Sequence, residues 1–135
     1  KLSEGVYSDY GHHPVEVAAT LEMAHEVAQQ NGFSGVSLIY QPHQNVRQHE
    51  VRGEYTPAIF VNANEVIWLP TYLSRENPDL EILTPAELAH QIADKTTFAE
   101  LDETLIAKIQ ELRAKNRLIL AMSAGSLDGF VRENL

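Results

Sequence analysis

The sequence predicts one α/β domain built on a doubly wound, mostly parallel sheet with helices on both faces. Short apolar segments alternate with helical segments along the whole chain. The apolar segments lack the polar–apolar alternation of half-exposed strands, which is typical of strands buried on both faces of a parallel sheet. A chain of 135 residues, 44% of them hydrophobic, has the size and composition of a single domain. A Rossmann-like fold is therefore expected.

The first half of the chain predicts two strand–helix units. Pro14 suits the first turn of a helix with one apolar face, and the pair Asn31 and Gly32 ends it. Gly53 and Pro57 weaken or kink the second helix. The predicted elements are a strand around Gly5 to Tyr10, a helix from Pro14 to about Gln30, a strand from Val36 to Tyr40 and a helix from about Val46 to Asn62.

The second half predicts three more strands and three more helices. Thr84, Pro85 and Glu87 form a capping signature, in which threonine caps the helix, proline opens it and glutamate closes the box. Asp102 caps a longer helix. The predicted elements are a strand at 65–72, a helix from Pro85 to about Asp94, a short strand at 96–99, a helix after Asp102, a buried strand at 117–126 that runs into small residues, and a terminal helix from about Leu127.

Charge and composition narrow the classes of partner. Ten basic against nineteen acidic residues give a formal charge of −9, so the surface repels a polyphosphate backbone and nucleic acid is not expected. No apolar run is long enough to cross a bilayer and no leader opens the sequence, so we expect no membrane partner and a cytoplasmic location. The lack of cysteine excludes thiolate chemistry and cysteine-ligated zinc. Because the sequence opens on Lys1, we expect a piece of a longer protein.

Polar clusters follow four of the predicted strands. The carboxyl ends of parallel strands meet at one edge of a sheet, and ligands of such folds bind beyond that edge. We therefore expect the four clusters to share one edge. They are the segments 9–13, 41–47, 71–75 and 123–126.

Each cluster also has a purely structural interpretation. His12 or His13 would cap the helix that begins at Pro14. Arg47 would hold a carboxylate on its own helix, and Asp9 would form a turn. The histidines could ligate a metal, but the sequence holds no H-E-x-x-H motif and we expect no metal site. It also holds no phosphate-loop or dinucleotide motif, so nucleotide binding by this chain alone is not expected.

Three segments resemble those of one family. "DYGHHPVEVAATLEMA" (9–24) is similar to the "DYGHHPTE-x-x-ATL" segment that opens the third domain of the Mur ligases. "LIYQPHQNVRQHEV" (38–51) resembles that family's "FQPHRYSRTRDL", and "LILAMSAGSLDGFV" (118–131) its closing "LIL-x-x-GAG". Tyr10 and Gly11 favour the alanine-adding branch, because the branch that recycles an intact tripeptide tends to carry "DFAHHP".

The resemblance implies that residues 1–135 are the C-terminal domain of a three-domain, ATP-dependent amide-forming ligase of peptidoglycan biosynthesis. The N-terminal domain and the central ATP-binding domain, with its phosphate loop and Mg²⁺ ligands, would lie outside this chain. The implied partners are UDP-N-acetylmuramate and L-alanine with ATP, shared with the upstream domains. The implied cofactors are ATP and Mg²⁺, and neither is expected to bind tightly to this domain alone. In the family ATP phosphorylates the muramyl carboxylate, and the amine attacks the acyl phosphate while the third domain closes over the site.

Roles are implied position by position. The implied nucleotide-binding residues are Asp9, Tyr10 and His12, the implied catalytic residues are His12 and Arg47, and the implied substrate-binding residues are Arg47, Tyr72 and Arg75. Gln44 and His49 stand where the family usually has arginines, so Arg47 alone remains of three basic groups. Arg75 would restore one lost charge from another loop. His13 would cap the helix, and 41–43 would shape the loop.

Three alternatives stay open at this point. The chain could come from the tripeptide-recycling ligase, or it could be a non-catalytic binding module of the same fold. A complete small enzyme is the third alternative, and the missing phosphate loop counts against it.

Overall fold

The computed structural model describes residues 4–135, and Lys1 lies outside them. Two 3₁₀ segments, Arg52–Glu54 and His90–Lys95, accompany the regular elements. The strands are β1 (Val6–Asp9), β2 (Gly35–Gln41), β3 (Glu65–Trp68), β4 (Thr96–Phe98) and β5 (Arg117–Ser123). The helices are α1 (Pro14–Gln30), α2 (Asn45–Val51), α3 (Pro85–Leu88), α4 (Glu103–Ala114) and α5 (Leu127–Asn134).

The strands form one sheet in the order β1-β5-β2-β3-β4, and each neighbouring pair runs parallel. β2 and β5 lie at the centre and are buried along nearly their whole length. The predicted parallel α/β sheet is confirmed. No helix within residues 4–135 is both long and apolar enough to cross a membrane.

Two hydrophobic cores cover the two faces of the sheet. α1 packs on one face through Leu21, beside Leu38 of β2. α4 and α5 pack on the other face, where Ile109 and Val131 lie in the same cluster as Ile39. Neighbouring residues of β2 thus enter opposite cores, as the period of two in a strand requires. Each fully buried leucine or isoleucine contributes about 1.5–3 kcal/mol relative to an exposed one. The doubly wound arrangement is confirmed.

The helix predicted from 46 to 62 was wrong in its second half. α2 ends at Val51, a single 3₁₀ turn follows, and the chain then makes turns as far as residue 62. Pro57 has no N–H to continue a helix. The Lys95 ammonium donates to two backbone carbonyl oxygens of this turn region, at 3.0 and 2.9 Å. A tertiary contact therefore stabilises the irregular backbone.

Two other predicted elements are shorter than expected. β3 ends at Trp68 rather than at residue 72, because Pro70 cannot donate to a sheet ladder. The capping box at Thr84 is present, but the helix after it ends at Leu88 and bends at Ile92 within the 3₁₀ segment. The shortened β3 frees residues 69–76 to form a loop at the edge of the sheet.

Candidate functional site at the carboxyl edge of the sheet

The four polar clusters predicted to share one edge of the sheet do so. Because all strand pairings are parallel, β1, β5, β2 and β3 end on the same side. Two contacts join the loops there. His43 forms an isolated bridge with Tyr72, and the Gln41 amide donates to the Ser126 hydroxyl at 3.2 Å. The prediction of a common edge is confirmed.

Three aromatic rings from three loops contact one another in a row at this edge. The His43 ring lies nearly parallel to the Tyr72 ring, with 5.6 Å between their centroids, and 5.2 Å from the centroid of His12. Backbone bonds fix the same loops, since the Gln44 N–H donates to the Tyr72 carbonyl and the Tyr72 N–H to the Pro42 carbonyl, both at 2.8 Å. The loops after β1, β2 and β3 are thus held in one arrangement.

A cavity of about 260 Å³ lies beside the His12 ring. Its walls include His12, His13 and Arg47, with Glu50 also on the wall. Arg47 is exposed and forms no ion pair within the part of the chain that the structure describes. The alternative in which Arg47 holds a carboxylate on its own helix is therefore not observed. A guanidinium left open on a cavity wall can bind a carboxylate or phosphate through two parallel hydrogen bonds.

The helix that carries Arg47 receives its N-terminal cap from another loop. Gln44 occupies the cap position at φ 64 and makes no side-chain cap bond. Instead the Glu76 carboxylate accepts hydrogen bonds from the backbone N–H groups of Asn45, Val46 and Ser74, at 2.9, 3.0 and 2.8 Å. Burial alone would raise the pKa of Glu76, but these three bonds outweigh it and the pKa is lowered. An ionised carboxylate thus joins the β3 loop to the start of α2.

The His43 imidazole is held neutral near neutral pH. Partial burial lowers its pKa most, the electrostatic effects of His12 and Arg47 act in the same direction, and Glu76 opposes them. Its Nδ1 is buried and has no hydrogen-bond partner among the described residues. A neutral imidazole with one unused nitrogen can accept or donate one bond to a ligand, depending on its tautomer.

Two residues at the end of β1 and in the loop after it form hydrogen bonds with α1, and another is exposed. The Thr20 hydroxyl donates to the Asp9 carboxylate at 2.8 Å, which attaches the end of β1 to α1. The Tyr10 side chain is exposed. His13 caps α1, because its Nδ1 accepts from a backbone N–H of the first turn and the Glu16 carboxylate accepts from the His13 N–H at 3.0 Å. The prediction that His13 caps this helix is confirmed.

The remaining predicted residues lie farther from the Arg47 cavity. Arg75 is exposed and adopts a φ of 53, in the left-handed region. The His49 ring donates to the Glu81 carbonyl at 2.7 Å, so it is engaged with the chain near α3. Tyr72 forms part of a second cavity of about 430 Å³, on the β4 side of the edge, together with Thr71. Tyr72 therefore lines this second cavity, while His12 and Arg47 line the first.

Two N–H groups at the start of α5 are already bonded to a side chain. The Gln41 side-chain oxygen accepts from the Ser123 hydroxyl at 2.5 Å and from the N–H groups of Ser126 and Leu127 at 3.1 and 3.3 Å. Gly125 lies against Tyr72, where an added Cβ would come within 2.6 Å of the ring. The described residues also include no group of three His, Asp or Glu that could hold a metal ion.

Sequence reasoning missed Tyr55, Gln48 and Glu76, which hold the site together. Glu76 stands among turn-forming residues and carries no motif of its own. Tyr55 falls inside the segment that the sequence predicts as helix. The sequence indicates Gln48 only weakly, as a polar residue one position after Arg47.

Comparison with known proteins gives the chain a family context. It is 34% identical over 122 residues to the UDP-N-acetylmuramate–L-alanine ligase of Mycolicibacterium smegmatis, a match over 90% of this chain and 25% of that protein. It is 31% identical over 130 residues to the ligase of the same name from Mycolicibacterium vanbaalenii, over 96% and 27% of the two chains. The chain thus spans about a quarter of the length of these curated relatives.

No protein-family model matches the chain. A solved structure has the same fold, with a TM-score of 0.57 and 24% identity over 96% of this chain and 87% of the other. It is a domain of a Haemophilus ducreyi protein assigned as a UDP-N-acetylmuramate:L-alanyl-γ-D-glutamyl-meso-diaminopimelate ligase, and at this identity the likeness concerns the fold alone. Over nine-tenths of its length the chain is similar to one part of the UDP-N-acetylmuramate–L-alanine ligases, and the predicted resemblance to the Mur ligases is confirmed.

Proposed function

We propose that this chain is the C-terminal domain of an ATP-dependent ligase that joins L-alanine to UDP-N-acetylmuramate in the cytoplasm. The whole enzyme would serve peptidoglycan synthesis, and through it cell shape and division. One observation carries the proposal: similarity to ligases of that name extends over nine-tenths of the chain and includes the loops that carry His12 and Arg47. Nucleotide-sugar and Mg²⁺ binding would belong to the rest of the polypeptide.

The reaction gives Arg47 and His12 definite tasks. ATP transfers its terminal phosphoryl group to the muramyl carboxylate, and the L-alanine amine attacks the acyl carbon so that phosphate leaves. Arg47 would bind the L-alanine carboxylate through two hydrogen bonds, which turns the amine toward the acyl phosphate. His12 would line the junction between phosphate and amine, and Tyr72 would form the wall beside it. Closure of the domain would exclude the water that hydrolyses an acyl phosphate.

Asp9 and Tyr10 would contact the nucleotide from this domain. Tyr10 is exposed on the same loop as His12, where a ligand held by the upstream domains can reach it. Arg75, exposed at a left-handed turn, would add positive charge on the substrate side. These roles follow the family resemblance and the common edge of the sheet.

The longer polypeptide that contains this chain provides the test. Phosphate release from ATP and Mg²⁺ is followed with UDP-N-acetylmuramate and, in parallel, L-alanine, glycine, L-serine or the tripeptide L-alanyl-γ-D-glutamyl-meso-diaminopimelate. L-Alanine should give the highest kcat/KM. A preference for the tripeptide would assign the chain to the recycling ligase. No release with any amine would leave a binding module as the function and reject the proposal.

The 135-residue chain alone should bind ATP weakly and should not hydrolyse it. The N–H groups of Ser126 and Leu127 at the start of α5 are already bonded to Gln41, and no phosphate-loop motif is present. Calorimetry with ATP and Mg²⁺ should give no micromolar affinity. Micromolar binding by this chain would contradict the division of labour between domains.

A further inference from the structure

A buried chain of polar side chains lies beneath the His12 and His43 loops. The Tyr40 hydroxyl donates to the His12 carbonyl oxygen, and the Tyr55 hydroxyl donates to the Gln48 side-chain oxygen at 2.5 Å. The two hydroxyl oxygens lie 2.9 Å apart. Tyr40, Tyr55 and Gln48 are all at most 1% exposed, so water does not compete for these contacts.

The chain ends on the second histidine loop. The Gln48 side-chain amide donates to the His43 carbonyl oxygen at 3.2 Å. Each tyrosine hydroxyl has one proton, and a carbonyl oxygen can only accept. Tyr40 therefore holds the His12 end and Tyr55 holds the Gln48 end. Between them they join the backbones of both histidines to α2 at the position next to Arg47.

Burial keeps both hydroxyls protonated and therefore able to donate. Desolvation raises the pKa of Tyr55 to about 12, and it raises the pKa of Tyr40 well above its ordinary value. The rings are also fixed by edge-on packing against Trp68, with 4.9 Å between ring centroids in each case. The contacts to the histidine loops thus persist across the whole neutral pH range.

We propose that Tyr55, which lies outside every motif in the sequence, is a positioning residue that sets the His12 and His43 loops relative to Arg47. It is fully buried and does not line the Arg47 cavity. It acts through its hydrogen bond to Gln48 on α2, and its hydroxyl packs 2.9 Å from that of Tyr40, whose own proton is donated to the His12 turn. The proposal deepens the proposed function, because the geometry concerned is that of the Arg47 cavity. Tyr55 lies outside that cavity and determines how well the amino acid fits into it.

Tyr55→Phe removes the hydroxyl and retains the ring that packs on Trp68 and Phe60. In the longer polypeptide we expect the KM for L-alanine to rise about tenfold while the KM for ATP stays within about twofold. Ser37→Ala is the matched control. It also removes a fully buried hydroxyl from a hydrogen bond, but at the opposite end of β2, where Ser37 donates to Glu65. This control should leave both KM values unchanged.

A second measurement does not depend on catalysis. NMR of the imidazole Hε1 resonances in the 135-residue chain, without substrate, should show shifts at His12 and His43 in Tyr55→Phe and none at His25 on α1. Unchanged His12 and His43 resonances would overturn the proposal even if the ligase is inactive. With an active ligase, an unchanged KM for L-alanine, or an equal rise in Ser37→Ala, would overturn it too. Inactive wild-type enzyme with the expected resonance shifts would count against the proposed function alone.

Discussion

The hydrogen bonding of polar side chains differs between the two ends of the sheet. At the amino end, Arg117 on β5 donates to the Glu65 carboxylate at 2.7 Å and to the Ser34 hydroxyl at 2.7 Å. Ser37 donates to the same carboxylate. Each of these groups has a partner within the chain, and the set joins β2, β3 and β5.

At the carboxyl end several polar groups are left open. Arg47 forms no ion pair among residues 4–135. Within the same range, His43 Nδ1 and Thr71 Oγ1 are buried without a hydrogen-bond partner. An unpaired buried polar atom costs about 1–3 kcal/mol, so a structure optimised for stability alone would not retain them.

The comparison separates stability from function along one sheet. Paired groups at the amino end stabilise the folded chain, and the Arg47 guanidinium, exposed at the carboxyl end, is available to a ligand. Substitutions at the two ends should therefore have opposite consequences, and the following experiments test that contrast in order of expected effect.

Arg47 should show the largest functional effect and almost no effect on stability. Arg47→Ala in the longer polypeptide should lower kcat/KM by more than about a hundredfold, and Arg47→Lys by about ten- to a hundredfold, because lysine offers a point charge instead of a fork. The melting temperature should not change. Arg52→Ala, an exposed arginine just after α2, is the control. Wild-type kinetics in Arg47→Ala would remove this residue from the site.

Arg117 should show the reverse pattern. Arg117→Ala leaves the partly buried Glu65 carboxylate without its cation, so the free energy of unfolding of the 135-residue chain should fall by about 1–3 kcal/mol. Denaturant titration measures it. Lys115→Ala, which breaks an exposed ion pair with Glu111, should change the free energy of unfolding far less, because water and salt screen exposed pairs. A loss of ligase activity larger than the loss of stability in Arg117→Ala would contradict the separation of the two ends.

The fold was predictable because its signals are local. Buried strand segments, a capping box at Thr84 and a proline at Pro14 are each read from a few neighbouring residues. The boundaries failed where distant residues decide them. Lys95 stabilises the turn region that the sequence pattern extends as a helix, and nothing near that turn indicates it.

The candidate site was predictable in part for the same reason. His12 and Arg47 follow strands directly, so the parallel order brings them to one edge. Glu76 was not predictable, because it caps a helix whose first residue lies 31 positions earlier. The sequence indicates an ordinary surface arginine at position 47, and only the fold shows that it forms no ion pair within residues 4–135.

Substitution of Gly125 tests whether the Tyr72 ring can move without loss of function. Gly125→Ala places a Cβ within 2.6 Å of the Tyr72 ring, which must move and disturb its contact with His43. The KM for L-alanine should rise about three- to tenfold. Gly129→Ala is the control, because an added Cβ there meets nothing within 4 Å. It lies inside α5, so the change should stabilise the chain by about 0.5–1 kcal/mol. Equal kinetics in the two variants would show that Tyr72 tolerates displacement.

Glu76 should give the smallest effect, and its sign depends on pH. Its pKa is lowered in the folded chain below the ordinary value of 4.5, so the carboxylate stabilises the fold above that value. This contribution is lost as the pH falls through the folded-state pKa, because the proton binds the unfolded chain more tightly. Glu76→Gln lacks the charge at all pH values and keeps one acceptor oxygen for the α2 cap.

The difference in unfolding free energy between wild type and Glu76→Gln should therefore be about 1 kcal/mol or less at pH 7 and should shrink in acid. Urea titrations of the 135-residue chain at a series of pH values measure it. Glu26→Gln, which removes an exposed carboxylate from α1, is the control for charge alone. A difference that stays constant into acid would mean that the Glu76 charge does not stabilise α2. In that case packing would hold α2, the helix that carries Arg47. The contrast between the two ends of the sheet would then rest on Arg47, Arg117 and Gly125.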